Sequence, residues 1–162
     1  MTDADDAQPK SVQRVLDAAT AAGHSLNLVE YPDGTRTAVD AAAAVGCDVG
    51  QIVKSLIFAV DGELVLVLTS GANQVDTDAL TEAAGGSECG RANADQVRET
   101  TGFAIGGVAP FGHVNTIRSF FDPALLNYDE VWAAAGTPRH VFPMAPQALL
   151  DLTGATPADF TA

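Results

Sequence analysis

The chain has 162 residues, 47% of them hydrophobic, which is enough for one domain with its own core and too apolar for a disordered chain. Twenty-one acidic residues against eight Lys and Arg give a net charge of −13, a balance that disfavours broad docking on a nucleic-acid backbone, DNA above all. No apolar run approaches the ~20 residues of a membrane helix, and the acidic start MTDADDAQPK lacks the character of a secretory signal, so a cytoplasmic protein without membrane attachment is expected.

In chain order, residues 1–9 read as a disordered tail and 10–162 as a single domain. Ser11 is placed to cap a helix whose apolar positions Val12, Val15, Leu16 and Ala19 follow the helical period and which Gly23 ends. Ser25 to Tyr31 reads as a strand closed by the turn Pro32-Asp33-Gly34. Thr37 to Val45 is an alanine-rich helix stopped at Gly46. QIVKSLIFAV (51–60) and ELVLVLT (63–69) flank Asp61-Gly62, a strong hairpin signal, and both runs are apolar on both faces, as interior strands are. Helices are expected over Asp76–Ala84 and from Asn93 or Ala94 to Thr100, the latter capped by Asn93. Residues 101–113 (TGFAIGGVAPFGH) begin as a strand and break into a Gly/Pro loop. Strands are expected over Asn115–Phe121, Glu130–Ala135 and Arg139–Phe142, and a last helix over Pro146–Leu152, ended by Gly154. The alternation predicts an α+β (mixed α/β) domain, with a curled, mostly antiparallel or mixed central sheet flanked by helices.

The hairpin fixes a register. With Val60 opposite Glu63, Lys54 lies opposite Thr69, beside Ser70 and Gly71. Alternation puts Lys54 on one face with Ile52, Leu56, Phe58 and Val60. An ammonium among such neighbours is costly without a partner or a wet cleft. It either snorkels to solvent, joins an ion pair, or lines a pocket as a cation aimed at a phosphate, carboxylate or carbonyl oxygen. Only Lys10 and Lys54 are lysines, and that scarcity favours the pocket. The loop Gly106–Gly112 (GGVAPFG) reads either as an ordinary tight connection between two strands or as a place where the backbone approaches a ligand closely and offers N–H donors. It is neither a Walker loop nor a GxGxxG fingerprint. Cys47 and Cys89 form no CxxC pair, and His24, His113 and His140 are scattered, so a structural zinc site is not expected.

IVKSLIF, the following TSGANQVD, the loop TGFAIGGVAPFG and the tail AAAGTPRHVFPMAPQALLDLTG, in that order over residues 25–155, resemble the YbaK/ProX family. This is the tRNA-editing domain also found inserted in bacterial prolyl-tRNA synthetases. The resemblance implies hydrolysis of wrongly made aminoacyl-tRNA, of the Cys-tRNA(Pro) or Ala-tRNA(Pro) kind, at the ester on the 3′-terminal adenosine. It implies neither a metal, a cofactor nor a covalent nucleophile. Lys54 matches the family's essential lysine; Gly106 and Pro110 match its GxxxP loop, which holds the terminal ribose and the ester. Ser55 stands where Thr is common, and Ala135 where Ser or Gly is common.

Such hydrolysis needs a water or hydroxyl nucleophile and a stabilised oxyanion. Lys54 would hold the terminal phosphate or ester oxygen, and the N–H groups of Gly107 and Val108 would serve as donors. The vicinal ribose hydroxyl would activate water, or a cysteinyl substrate's own thiolate would attack the ester. Tyr31, Ser70 and His140 are further candidates for the pocket, and His113 follows the loop. A triad of Ser70, His113 or His140, and Asp76 lacks a nucleophile elbow. The expected partner is the CCA end of an aminoacyl-tRNA, presented by prolyl-tRNA synthetase or an elongation factor. The competing readings are a non-catalytic nucleotide or small-molecule binding module, a regulatory partner of a synthetase, and a hydrolase of other acyl esters or amides.

Overall fold

The computed structural model describes residues 9–31 and 37–162. Helix α1 (Lys10–Ala21) leads to strand β1 (Val29–Glu30), then helix α2 (Ala38–Val45). The hairpin β2 (Val53–Val60) and β3 (Glu63–Ser70) follows, then α3 (Thr77–Ala84), β4 (Cys89–Arg91) and α4 (Ala94–Thr101). The remainder is β5 (Arg118–Phe121), β6 (Val131–Ala134), β7 (His140–Met144), α5 (Pro146–Thr153) and β8 (Thr156–Pro157).

Five strands form a mixed sheet in the order β4-β2-β3-β5-β8, and three form a second, antiparallel sheet in the order β1-β7-β6. Strand β2 runs antiparallel to both β4 and β3, whereas β5 pairs in parallel with β3 and with β8. Among the described residues, the bridge Ile52–Trp132 links the two sheets. This is the expected α+β class, with β2 and β3 both interior.

The hairpin turns on Asp61 (φ 50°) and Gly62 (φ 87°), the left-handed pair a two-residue connection requires. Its register is the expected one, with Val60 opposite Glu63 and Lys54 opposite Thr69. Alternation then divides the core. Val53, Ile57, Leu66 and Leu68 pack with Val97, Phe103, Val108, Phe111, Ala133 and Phe142 on one face. Phe58, Val60, Val65 and Val67, with the half-buried Leu56, pack with Leu80, Phe120 and Phe160 on the other.

Several expectations are corrected. Helix α1 starts one residue before Ser11, with Pro9 as its N-cap and no capping side chain, because the fixed proline φ already suits a helix start. The strand expected over 25–31 is only Val29–Glu30, the stretch that pairs with β7, although the Tyr31 N–H still donates to Arg139 O at 2.7 Å. The turn at 32–34 and the tail over 1–8 lie outside the described residues. No strand opens the 101–113 segment: α4 runs to Thr101, whose hydroxyl then accepts from Phe103 N at 3.0 Å. Phe103, Val108 and Phe111 are apolar because the loop itself is packed into the core. The strand expected from Asn115 begins at Arg118, since Asn115 is spent on the end of α4, donating to Glu99 O and Thr100 O.

Candidate functional site

Strand β4 pairs with β2 only over Phe58–Val60, and β6 bridges to the chain at Ile52, just before β2. Between these points the outer edge of Val53–Leu56 has no strand partner. A cavity of about 520 Å³ opens there. Its walls include Val53, Lys54, Ser55, Arg91, Gly106, Val108, Trp132 and Thr137, and Thr37 and Val39 border it from the first turns of α2. Volume and mixed lining suit a small organic group. Among the described residues lining it, Lys54 and Arg91 are the only charged ones, so the wall is cationic in a chain of net charge −13.

Lys54 is half-buried, and its Nζ donates to the backbone oxygen of Asn73 at 2.7 Å. Burial, and then the charge of Arg91, lower its pKa; the carboxylate of Asp122 opposes them. The loop residues Val108, Ala109 and Phe111 pack on the opposite face of β2, with Val53 and Ile57. Lys54 and the loop therefore meet around the open strand edge rather than across one face. The residue that alternation turns to the loop's face is Ser55. Its buried Oγ has no hydrogen-bond partner, which is costly unless a ligand supplies one.

The loop is held from behind. Arg14 on α1 donates to Gly112 O (2.9 Å) and Gly102 O (2.8 Å), pinning both ends. His113 hydrogen-bonds Ala109 O at 2.7 Å, and burial is the chief cause of its lowered pKa, offset by that bond and reinforced by Arg14. Gly106 takes φ 92°, a conformation that favours glycine, and borders the cavity with Val108. Gly107 and Pro110 are buried and do not line it. The Gly107 N–H donates to Ala104 O at 2.9 Å, so of the two donors expected from the loop it is already committed.

Of the other candidates, Tyr31, Ser70 and His140 do not line the cavity; each adjoins or bonds a residue that does. Tyr31 is buried; its hydroxyl donates to Ala41 O at 3.3 Å, and burial, with the nearby Cys47, raises its pKa to about 12. It steadies α2, whose Ala41 reaches the cavity. Ser70 is 2% exposed and donates to Gly50 O at 2.7 Å. His140 is 8% exposed, with Nδ1 2.6 Å from the hydroxyl of the cavity residue Thr137. The members of the conceivable triad are each engaged elsewhere: Ser70 with Gly50, His113 with Ala109, His140 with Thr137, and Asp76 with the N–H groups of Asp78 and Ala79. Cys47 and Cys89 are free thiols packed beside apolar clusters.

Arg91, Ser55, Trp132 and Thr137 are the cavity residues that sequence reasoning missed. A signal existed for Arg91, the only basic residue between Lys54 and Arg98 in a chain that avoids cations. Ser55 stood beside Lys54 in the motif without a role, and Trp132 and Thr137 left no signal because their place depends on how the second sheet meets β2.

Fold and cavity together define an α+β domain with a pocket on an unpaired strand edge, walled by a lysine strand and a Gly/Pro loop. The chain belongs to the aminoacyl-tRNA editing domain family, whose model matches residues 32–152. A solved structure provisionally assigned as a trans-editing enzyme for prolyl-tRNA synthetase is 47% identical, covers 96% of this chain and 99% of its own, and superposes with a TM-score of 0.90. EbsC of Enterococcus faecalis, provisionally named a Cys-tRNA(Pro)/Cys-tRNA(Cys) deacylase, is 26% identical over 127 residues, 77% of each chain. The proline–tRNA ligase of Maridesulfovibrio salexigens is 34% identical over 101 residues, which are 62% of this chain and 17% of that ligase. No helix among the described residues is long and apolar enough to cross a membrane.

Proposed function

We propose that this domain is a cytoplasmic trans-editing deacylase that hydrolyses mischarged aminoacyl-tRNA of the Cys-tRNA(Pro) or Ala-tRNA(Pro) type. The supporting observation is the cavity of about 520 Å³ that Lys54, Gly106 and Val108 border together, with Lys54 and Arg91 as its only charged lining among the described residues. A terminal adenosine carrying a small aminoacyl ester presents the matching chemistry, a phosphate beside a short side chain.

In this reading water attacks the ester carbonyl carbon, the bond to the ribose oxygen breaks, and that oxygen takes the proton as the amino acid leaves. Lys54 supplies positive charge to the phosphate or the developing oxyanion, and the Val108 N–H is the remaining loop donor. The vicinal ribose hydroxyl orients the water. The acidic exterior keeps the tRNA body at a distance, so contact is confined to the CCA end and affinity for bare tRNA is weak. Presentation by prolyl-tRNA synthetase or an elongation factor compensates.

The test is a panel of Ala-, Cys- and Ser-charged tRNA(Pro) given to the parent and to Lys54→Ala. Deacylation by the parent and a loss of about 10²–10³-fold in the variant are expected. A variant as fast as the parent would remove Lys54 from the mechanism.

A further inference from the structure

The amine of Lys54 is tied to the fold through a carboxylate it does not touch. Nζ donates to Asn73 O at 2.7 Å, and Asn73 Nδ2 donates to Asp122 Oδ2 at 3.0 Å. Asp122 is 2% exposed, and its two oxygens have different work. Oδ1 accepts from Ala124 N at 2.9 Å, the ordinary cap of the short 3₁₀ turn that follows β5. Oδ2 gathers three donors, all from the segment beside Lys54: Thr69 Oγ1 (3.1 Å), Ser70 N (3.0 Å) and Asn73 Nδ2 (3.0 Å). Thr69 is also the residue directly across the hairpin from Lys54. Capping accounts for the first oxygen and leaves the second unexplained.

We infer that Asp122 and Asn73 are positioning residues for Lys54: the carboxylate fixes the Asn73 side chain, and with it the Asn73 carbonyl that holds the ammonium at the cavity edge. The inference rests on the reading that Lys54 serves this cavity. Interposing a neutral amide has a purpose. A direct ion pair would cancel the field of the cation, whereas a carbonyl takes one of the three ammonium donors and leaves the others for an anionic ligand. Among the described residues, the charges that act on Lys54 are Arg91 from β4, which disfavours the ammonium, and Asp122 from the end of β5, which favours it.

The chain has two lysines, so protein labelled with ¹³C at the lysine ε-carbon gives two side-chain signals, with Lys10 as internal control. Asp122→Asn is expected to move the titration of Lys54 to lower pH and leave Lys10 unchanged. Asn73→Ala keeps the residue 73 carbonyl and the cap but cuts the tie; it is expected to increase the motion of the Lys54 ε-carbon. It guards against a failure of Asp122→Asn to fold. In deacylation, Asn73→Ala should lower kcat by about 10–100-fold with KM little changed, the size that a displacement of about 1 Å produces. If both variants leave the Lys54 signal as in the parent, or kcat falls with no change in that signal, the positioning role is overturned. If the signal responds as expected in a protein that deacylates nothing on the panel, positioning stands and the editing reading fails.

Discussion

Gly107 lies flat against the backbone of Thr137: a Cβ added to Gly107 would stand 2.6 Å from Thr137 Cα. The contact presses the Gly/Pro loop onto the link between β6 and β7, and Thr137 in turn holds His140 at 2.6 Å. The neighbour is backbone and cannot swing aside. Gly107→Ala is therefore expected to destabilise the fold by about 1–3 kcal/mol, the usual cost of overpacking, and to widen the cavity mouth. Thermal unfolding and deacylation read side by side check this; an unshifted Tm with full activity would show that the loop yields freely.

Ser55 carries the opposite expectation for stability. A buried hydroxyl without a partner weakens the empty protein, so Ser55→Ala should leave the fold as stable or raise stability by up to about 1 kcal/mol. If that hydroxyl meets the substrate, the same change lowers kcat/KM by about tenfold, the equivalent of one neutral hydrogen bond. A stable and fully active Ser55→Ala protein would remove Ser55 from substrate contact.

Arg91 stands 5.4 Å from the Phe58 ring centre and shares the cavity wall with Lys54. If it meets a phosphate, Arg91→Ala lowers kcat/KM most at low salt and reduces the slope of log(kcat/KM) against log[salt] by about 0.7–1. An equal loss at every salt concentration would mean that Arg91 shapes the wall without contacting phosphate.

Two buried groups contribute to the response to acid. Burial, opposed in part by the bond to Ala109, holds the His113 imidazole below its ordinary 6.5. For Asp122, burial acts upward, but hydrogen bonds from Asn73, Ser70, Ala124 and Thr69 outweigh it and keep the carboxyl below its ordinary 3.8. In both cases the unfolded chain binds a proton first. The stability contributed by each is complete above the ordinary value and is lost as pH falls through the folded one. Tm should drop in two stages, the first setting in below about pH 6.5. His113→Gln, which can still donate to Ala109 O, should erase the first stage. A first stage of unchanged depth in that variant would assign it elsewhere.

The hairpin was legible because its signal is local: Asp61-Gly62 admits few geometries, and counting from it places Lys54 opposite Thr69. The partners of β5 were not, since its parallel pairing with β3 and β8 links residues more than 30 positions apart and leaves no turn to read. The same limit governs the cavity. Lys54, Gly106 and Val108 were visible as a cation in an apolar strand and a glycine loop. Tyr31, Ser70 and His140 look identical in sequence whether their polar atoms face a ligand or, as here, Ala41, Gly50 and Thr137. Ser55 could be told from Lys54 as the loop-facing residue only once Val108 was seen to pack with Val53 and Ile57.

The gap between Ile52 and Ile57 has a consequence beyond ligand capture. Stretches of sheet left without a neighbour are templates for another chain, and this one carries the apolar Val53 and Leu56 beside Lys54 and Ser55. What screens it is Trp132 and the glycine loop rather than a paired strand. Damage to that screen would turn a receptacle into an adhesive seam, so self-association at high concentration should follow loop-loosening substitutions sooner than surface ones.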